Sequence, residues 1–416
     1  KLLKAYYVKT NETFPPYTHD LLKLAEMCEL KLNEEERRFF ITVTAFNINS
    51  RYDDYKMSFG ANAKIIYRKV GHFAKAFGFG HQATISKAIT KPAGMIWLLT
   101  GILFLVAALI FLLKKDAWLL PAIAAIILSQ FLISSAWQQA KPGTVVNVIV
   151  LLVVILSVGS WQFEKGYRNE VKSGLDRMKE LKPALLTETD LLPLPLLVQR
   201  YLKYVNVVNK PRVYNAKIVF DGQMREKGKD WFPFTSEQYN FFDVPTRLFF
   251  MKAKMFGLIV PGFHAYKNGM ASMQIKAFGL YPIVNAKEGI LNKAESVTLF
   301  NDMCLLAPAT LIDKSIAWTA IDSNTVKAVF TVNHISITAT LAFNNQGQLT
   351  NFTSDDRYEI GDKKQYRFST PVSNYQNFNG YNIAAYGEAV WHYPDGEFAY
   401  GKFNLKSIHY NSEQER

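Results

Sequence analysis

The chain has 416 residues, room for two or three domains, and a formal net charge of +13. The charge is not spread as a nucleic-acid footprint requires: residues 1–62 are neutral, 63–183 carry 15 basic against 5 acidic groups, and 184–416 carry 24 against 21. Cys28 and Cys304 are the only cysteines, which excludes a disulfide framework and a cysteine-built zinc site. The basic excess flanks the most apolar part of the chain, where it suits anionic headgroups and topology setting; no nucleic-acid partner is expected.

Residues 1–62 read as helices. Lys1 to Val8 looks like a helix end, and the prolines of NETFPPYT cannot continue it. Thr18 is a candidate N-cap for a helix running to Leu30. Asn33 is a candidate N-cap for the next, with Glu34, Glu35 and Glu36 in its first turn, where carboxylates favour the helix dipole. The stretches LLKAYYV, PPYTHDLLKLAE and FNINSRYDDYKMSF, within residues 1–59, resemble the later part of a HEPN domain, a small helical bundle. Some HEPN families are ribonucleases that use an Arg followed four to six residues later by His. Here YDDYKMSF follows Arg51 with no His in range, so the resemblance does not carry that activity over. His19 reads as a residue orienting a helix start. A half-bundle of this size is not expected to fold alone.

Residues 63–91 interleave Ile65, Ile66, Val70, Phe73 and Phe77 with Lys64, Arg68, Lys69 and Lys75. That pattern suits an amphipathic helix at an interface or a degenerate first crossing helix. His72 and His81 lack a nearby third ligand, so no metal site is assigned. Residues 92–163 hold three charge-free runs, about 93–113, 117–137 and 143–163, separated by Lys and Asp. Each is long enough to cross a bilayer, which takes roughly 20 mainly apolar residues. Close to the spans, Lys114, Lys115 and the cations from Lys165 to Lys182 outweigh Lys141, Lys87 and Lys91, which favours a cytoplasmic C-terminal domain; Lys64, Arg68, Lys69 and Lys75 nearly cancel that bias if 63–91 does not cross.

Residues 164–190 form a basic, helical neck, with Lys165, Arg168 and Lys172 placed for anionic headgroups. LLPLP then breaks the chain, and Leu197, Val198, Tyr201, Leu202 and Val205 make the stripe of a short helix. After Pro211 the hydrophobic period becomes two, as in Ile335 to Phe343. Asp221-Gly222, Asn268-Gly269, Asn345 to Gly347, Asn379-Gly380 and Asp395-Gly396 read as hairpin turns. Only 286–312 reads as helix, ending or kinking at Ala307-Pro308.

From about Val70 onward, beginning with GHFAKAFG, the chain resembles an uncharacterised (domain of unknown function) family of bacterial multi-pass membrane proteins with a C-terminal β-rich domain. WFPFTSEQYNFFDVPTR, GFHAYKNGMASM, FGLYPIVNA, LAPATLI and FNGYNIAAYGEAVWHYPDGEF look LolA-like in order and spacing, which implies a curved sheet over helices around an apolar cavity. The chain then looks like a fusion whose start replaces part of a first span.

The expected fold is α+β: a partial helical bundle, three membrane-spanning helices (four if 63–91 crosses), then a curved antiparallel sheet in 191–416 with one or two packed helices. No G-x-S-x-G, H-E-x-x-H, phosphate-binding or dinucleotide-binding motif is present, and no catalytic residue, metal or cofactor is assigned. Asp355, Asp356 and Arg357 read as an exposed ion-paired turn. Trp231, Phe234, Phe241, Phe256, Tyr266 and Trp391 are the candidate pocket residues. The expected function is an integral protein of the bacterial inner membrane whose β-rich domain binds an apolar or lipid-like ligand. The alternatives are a ligand-free interaction scaffold, or a membrane hydrolase or transferase with a hidden site.

Overall fold

The structure, a computed structural model, describes residues 7–8, 21–30, 32–34, 36–38, 90–113, 115–182, 184–255, 258–287 and 289–413. The chain divides into two compact units, Lys1–Val158 and Gly159–Arg416. Arg51, His19, His72, His81, the residues proposed for a first crossing helix and Phe256 lie outside the described residues.

In the first unit, helix α1 spans Leu21–Met27 and buries Leu24 and Ala25. Asn33 does cap the following turn: its Oδ1 accepts from Glu36 N at 2.8 Å while Glu36 Oε2 accepts from Asn33 N at 2.9 Å. Helices α2 (Lys91–Leu112) and α3 (Leu119–Ser135), and the start of α4 (Pro142–Met178), are long and apolar enough to cross a membrane. They are inside-out relative to a soluble bundle. Ala107, Ala122, Ala125, Thr100 and Ser129 are buried between them, while Leu99, Leu109, Leu120, Ile127, Phe131 and Leu152 point outward. Small residues let helices approach closely where lipid offers no hydrophobic drive. Gln130 joins two helices in that apolar setting, accepting from Asn147 at 3.0 Å and donating to Thr144 at 3.3 Å.

The second unit is one 13-stranded antiparallel sheet that does not close, in the order β6-β5-β4-β3-β2-β1-β13-β12-β11-β10-β9-β8-β7. Strands β1 (Asn215–Met224), β2 (Phe232–Phe241), β3 (Thr246–Met255), β4 (Leu258–Lys267), β5 (Met270–Ala277) and β6 (Tyr281–Lys287) form one meander. Helix α6 (Ile290–Leu305) then carries the chain to the opposite edge. Strands β7 (Ile316–Ala320), β8 (Thr325–Val332), β9 (Ile335–Phe343), β10 (Leu349–Ser354), β11 (Arg367–Phe378), β12 (Tyr381–Tyr393) and β13 (Gly396–Tyr410) return until β13 pairs with β1. Two hairpins turn on Asn-Gly pairs at positive φ, Asn268-Gly269 and Asn379-Gly380, the conformation that matches strand twist. Asp221-Gly222 is not a turn. It lies within β1, with Asp221 opposite Asn404 on one side and Thr235 on the other.

Side chains alternate across the sheet, and over β2 and β3 both faces are buried. On the inner face, Phe249, Met251 and Ala253 of β3 join the main core with α6 and α5 (Leu196–Val205). On the outer face, Leu248 and Phe250 of β3 and Tyr239 and Phe241 of β2 pack under Phe163, Tyr167, Val171 and Leu175 of α4. Gly174 permits that fit, since a Cβ there would overlap the Phe241 ring. The neck is therefore covered by the sheet. Lys252 pairs with Glu164 and Lys267 with Glu170, each at 2.6 Å, and Arg168 pairs with Glu237. A short helical turn that sequence patterning did not signal, Glu188–Leu191, is fixed by a Thr187/Asp190 capping box.

Candidate functional site

The inner face is not filled along its whole length. α5 and α6 cover one part of it, where Phe300 stacks on Phe330 at 4.9 Å and Tyr201 donates to Cys304 O at 2.8 Å. Elsewhere a cavity of about 780 Å³ remains between α6 and the inner ends of β1, β3–β5 and β11–β13. Its walls include Phe249, Met273, Leu305, Val372, Phe403 and Leu405, and it opens beside the β1–β2 turn, the β12–β13 turn and residues 358–362.

One wall carries a buried charge cluster. Arg247 donates from Nε to Asp302 at 2.7 Å, from one terminal nitrogen to Glu295 at 3.3 Å and from the other to Gln238 at 3.2 Å. Asp302 Oδ2 also accepts from Gln238 at 2.7 Å and Asn240 at 3.1 Å. Burial opposes the charge on Arg247, but Asp302 and Glu295 more than offset it and raise the guanidinium above its ordinary range. Both carboxylates are thus committed to a cation, and three donors converge on one Asp302 oxygen. That is the arrangement of a satisfied buried ion network rather than of a poised acid and base. His264 lies across from Phe249 in the same wall. Burial, with Arg247 and Arg357 nearby, lowers its pKa to about 4 against the opposing pull of Glu295. Among the described residues no group of three His, Cys, Asp or Glu side chains could hold a metal.

The opposite wall is an aromatic box around Arg357. The guanidinium sits 3.9 Å from the Phe368 ring centre and 5.0 Å from Trp391, and donates to the Tyr400 hydroxyl at 2.9 Å. Among the described residues no carboxylate pairs with it. Its neighbours pair elsewhere: Asp355 with Arg367 at 2.9 Å, Asp356 with Lys293 at 2.6 Å. Sequence reading grouped the three as one exposed turn; the chain instead sends Arg357 into the cavity, a direction that spacing alone does not carry.

Of the sequence-predicted pocket residues, Trp391 lines the cavity. Trp231 lies near its mouth, with Arg225 4.4 Å and Lys402 4.8 Å from its ring centre. Phe234 is buried in the main core, packed edge-on to Phe403 at 5.3 Å. Tyr266 is fully buried and shares a hydrogen bond with Ser296 at 2.9 Å. Phe241 is on the outer face under α4, and Phe256 is outside the described residues. Lys165, Arg168 and Lys172, read as headgroup ligands, have protein partners: Trp161, Glu164 with Glu237, and Asp176. His392 meets Ser369 at 2.7 Å and Glu397 at 3.2 Å, His334 sits in the β8–β9 turn, and His409 lies on β13.

A curved, open sheet wrapped over a crossing helix, with an apolar cavity between them, preceded by three helices apolar enough for a bilayer, defines an α+β protein of the cavity-forming kind. The chain belongs to a family of unknown function (DUF6544), which matches residues 184–403 and so spans the β-rich domain rather than the apolar helices. Residues 1–77 match the HEPN domain, a longer stretch than the motifs to Phe59 mark out. No curated protein matches the chain. Among solved structures, a LolA superfamily protein from Nitrosomonas europaea is similar at 7% identity and a TM-score of 0.31, over 52% of this chain and 94% of that one. A Vibrio parahaemolyticus domain named for outer membrane lipoprotein sorting is similar at 6% identity and a TM-score of 0.31, over 48% and 86%.

Proposed function

We propose that the β-rich domain binds an apolar or lipid-like ligand and that the apolar helices tether it to the membrane from which that ligand comes. The observation that carries this reading is the cavity of about 780 Å³, a size typical of small-molecule sites, walled mainly by apolar side chains. Its apolar stretch at Phe249, Met273 and Leu305 suits a hydrocarbon chain, and Arg357, half-buried among aromatic rings, offers a cation for a polar end. The ion network at Arg247 acts as a fixed polar wall. The full chain, extracted in mild detergent and examined by native mass spectrometry, is expected to retain lipid, and Val372→Trp to lose it. A parent protein that is empty after extraction from several lipid backgrounds would overturn the reading.

By the charge bias near the spans, the chain sits in the bacterial inner membrane with the β-rich domain in the cytoplasm. A C-terminal tag that is cut by protease added to intact spheroplasts would refute that orientation.

A further inference from the structure

The stretch from Val244 to Lys287 contains no acidic residue, while it holds Arg247, Lys252, Lys254, Lys267, Lys276 and Lys287. It folds as strands β3 to β6; the paired ends Met255 and Leu258 of β3 and β4 lie on the same rim of the sheet as the β5–β6 turn. These tips expose apolar side chains that folding would ordinarily hide. Ile259 is 60% exposed, Tyr281 73% and Ile283 56%, with Leu258 and Leu280 beside them. Ile283 is the extra residue of a bulge, where the partner of β5 steps from Val284 to Pro282. Single exposed apolar residues elsewhere, such as Ile321, need no explanation; several grouped at the same rim of neighbouring hairpins do.

What the β5–β6 tip rests against identifies its partner. The Leu280 side chain packs on Gly159 of α4, and a Cβ on Gly279 would overlap the Gly159 backbone, so this turn is fitted to the helix main chain. Phe278 is held at φ +54, a conformation bulky residues avoid, to make that turn. Gly159 to Phe163 is where the charge-free run of α4 ends and its charged part begins. The same level carries the marks of a headgroup boundary: Lys165 lies 4.9 Å from the Trp161 ring centre and Lys276 4.7 Å from that of Phe163. Lys254 stands exposed just behind the other tip.

The geometry points to the Leu258–Ile259 end of β4 and the β5–β6 tip as membrane-inserting wedges that enter the leaflet α4 leaves, with Lys254 and Lys276 behind them placed for its anionic headgroups, while Arg247, Lys252 and Lys267 are held by carboxylates of the fold. This rests on the reading of α4 as a membrane-crossing helix. The rim bearing the wedges continues through the β1–β2 turn to the β12–β13 turn, which flank the cavity mouth. The wedges therefore seat the cavity rim at the leaflet surface, where a lipid-like ligand enters without crossing water.

The test uses the full chain in phosphatidylcholine–phosphatidylglycerol vesicles containing bromine-labelled acyl chains. Single cysteines replace Ile259, Ile283, Ile321 or Leu151 and carry a bimane fluorophore; the parent, whose Cys28 and Cys304 are buried, gives the background. Leu151, inside the apolar run, reports the bilayer and Ile321, at the β7–β8 turn, reports water. The expected result is quenching at Ile259 and Ile283 comparable to Leu151, with none at Ile321. Quenching at Leu151 but not at Ile259 or Ile283 overturns the proposal, and absence of quenching at Leu151 overturns the membrane reading beneath it. Lipid retained by the same preparations is measured separately, so an unquenched but lipid-loaded protein removes the wedges and leaves the cavity reading standing.

Discussion

The two faces of the sheet are built by one alternating pattern, yet one is solid and the other hollow. On the outer face α4 runs against β2 to β4 and fills its groove: Tyr167 stacks on Phe250 at 5.1 Å, Gly174 admits Phe241, and ion pairs edge the seam. On the inner face α6 crosses from one sheet edge to the other and covers only part of a broader surface. The uncovered part keeps its apolar residues, Phe249, Met273 and Val372, and becomes the cavity. The lesson is that apolar character on a strand face specifies burial but not what fills the space. A helix laid against a few strands makes a core; a helix bridging a 13-stranded curved sheet leaves room.

Four substitutions probe that contrast. The largest effect is expected from Arg247→Met, which strands Asp302 and Glu295 in the cavity wall without their cation and should cost about 3–5 kcal/mol in chemical unfolding of the full chain in detergent. Gly174→Ala tests the solid face. Its methyl group meets the Phe241 ring, and overpacking of this kind costs about 1–3 kcal/mol, read as a lower unfolding temperature with lipid retention unchanged.

His264 links the hollow face to pH. The folded imidazole resists protonation down to about 4 while the unfolded one takes a proton near 6.5. Its contribution to stability is therefore full above about pH 6.5 and is lost as pH falls toward 4. His264→Gln should remove that part of the acid slope, so parent and variant melting temperatures should differ in their pH dependence between 7 and 4.5 on the order of the His titration. Equal slopes would remove the assignment. The smallest stability effect belongs to Val372→Trp, under about 1 kcal/mol because the added volume enters open space rather than packed core. Lipid retention is the readout that moves. A large drop in stability there would mean the inner face is as solid as the outer.

Much of this was legible in the chain. Three charge-free runs identified α2, α3 and the start of α4, because a bilayer demands length and apolarity along the sequence itself. The clean alternation of Ile335 to Phe343 gave β9, and Asn268-Gly269 and Asn379-Gly380 gave their hairpins. Asp221-Gly222 carries the same dipeptide signal yet runs through β1, since pairing on both sides with β2 and β13 outweighs local turn preference. The candidate pocket was harder. Trp391 and Phe241 are both large aromatics on alternating strands, and only the element packed over each face separates cavity wall from core. Arg247, Asp302, Glu295 and Arg357 are far apart in the sequence and gave no motif.

Local chemistry thus decided where the chain crosses from apolar helix to sheet and which side chains alternate inward and outward. The tertiary structure decided that a basic neck would become the lid of one face and that a buried ion network would wall a cavity on the other. It also decided that the β5–β6 tip would meet α4 at Gly159. Periodicity is written residue by residue, whereas filling and emptiness depend on how far a helix reaches across a curved sheet, and that is a property of the assembled fold.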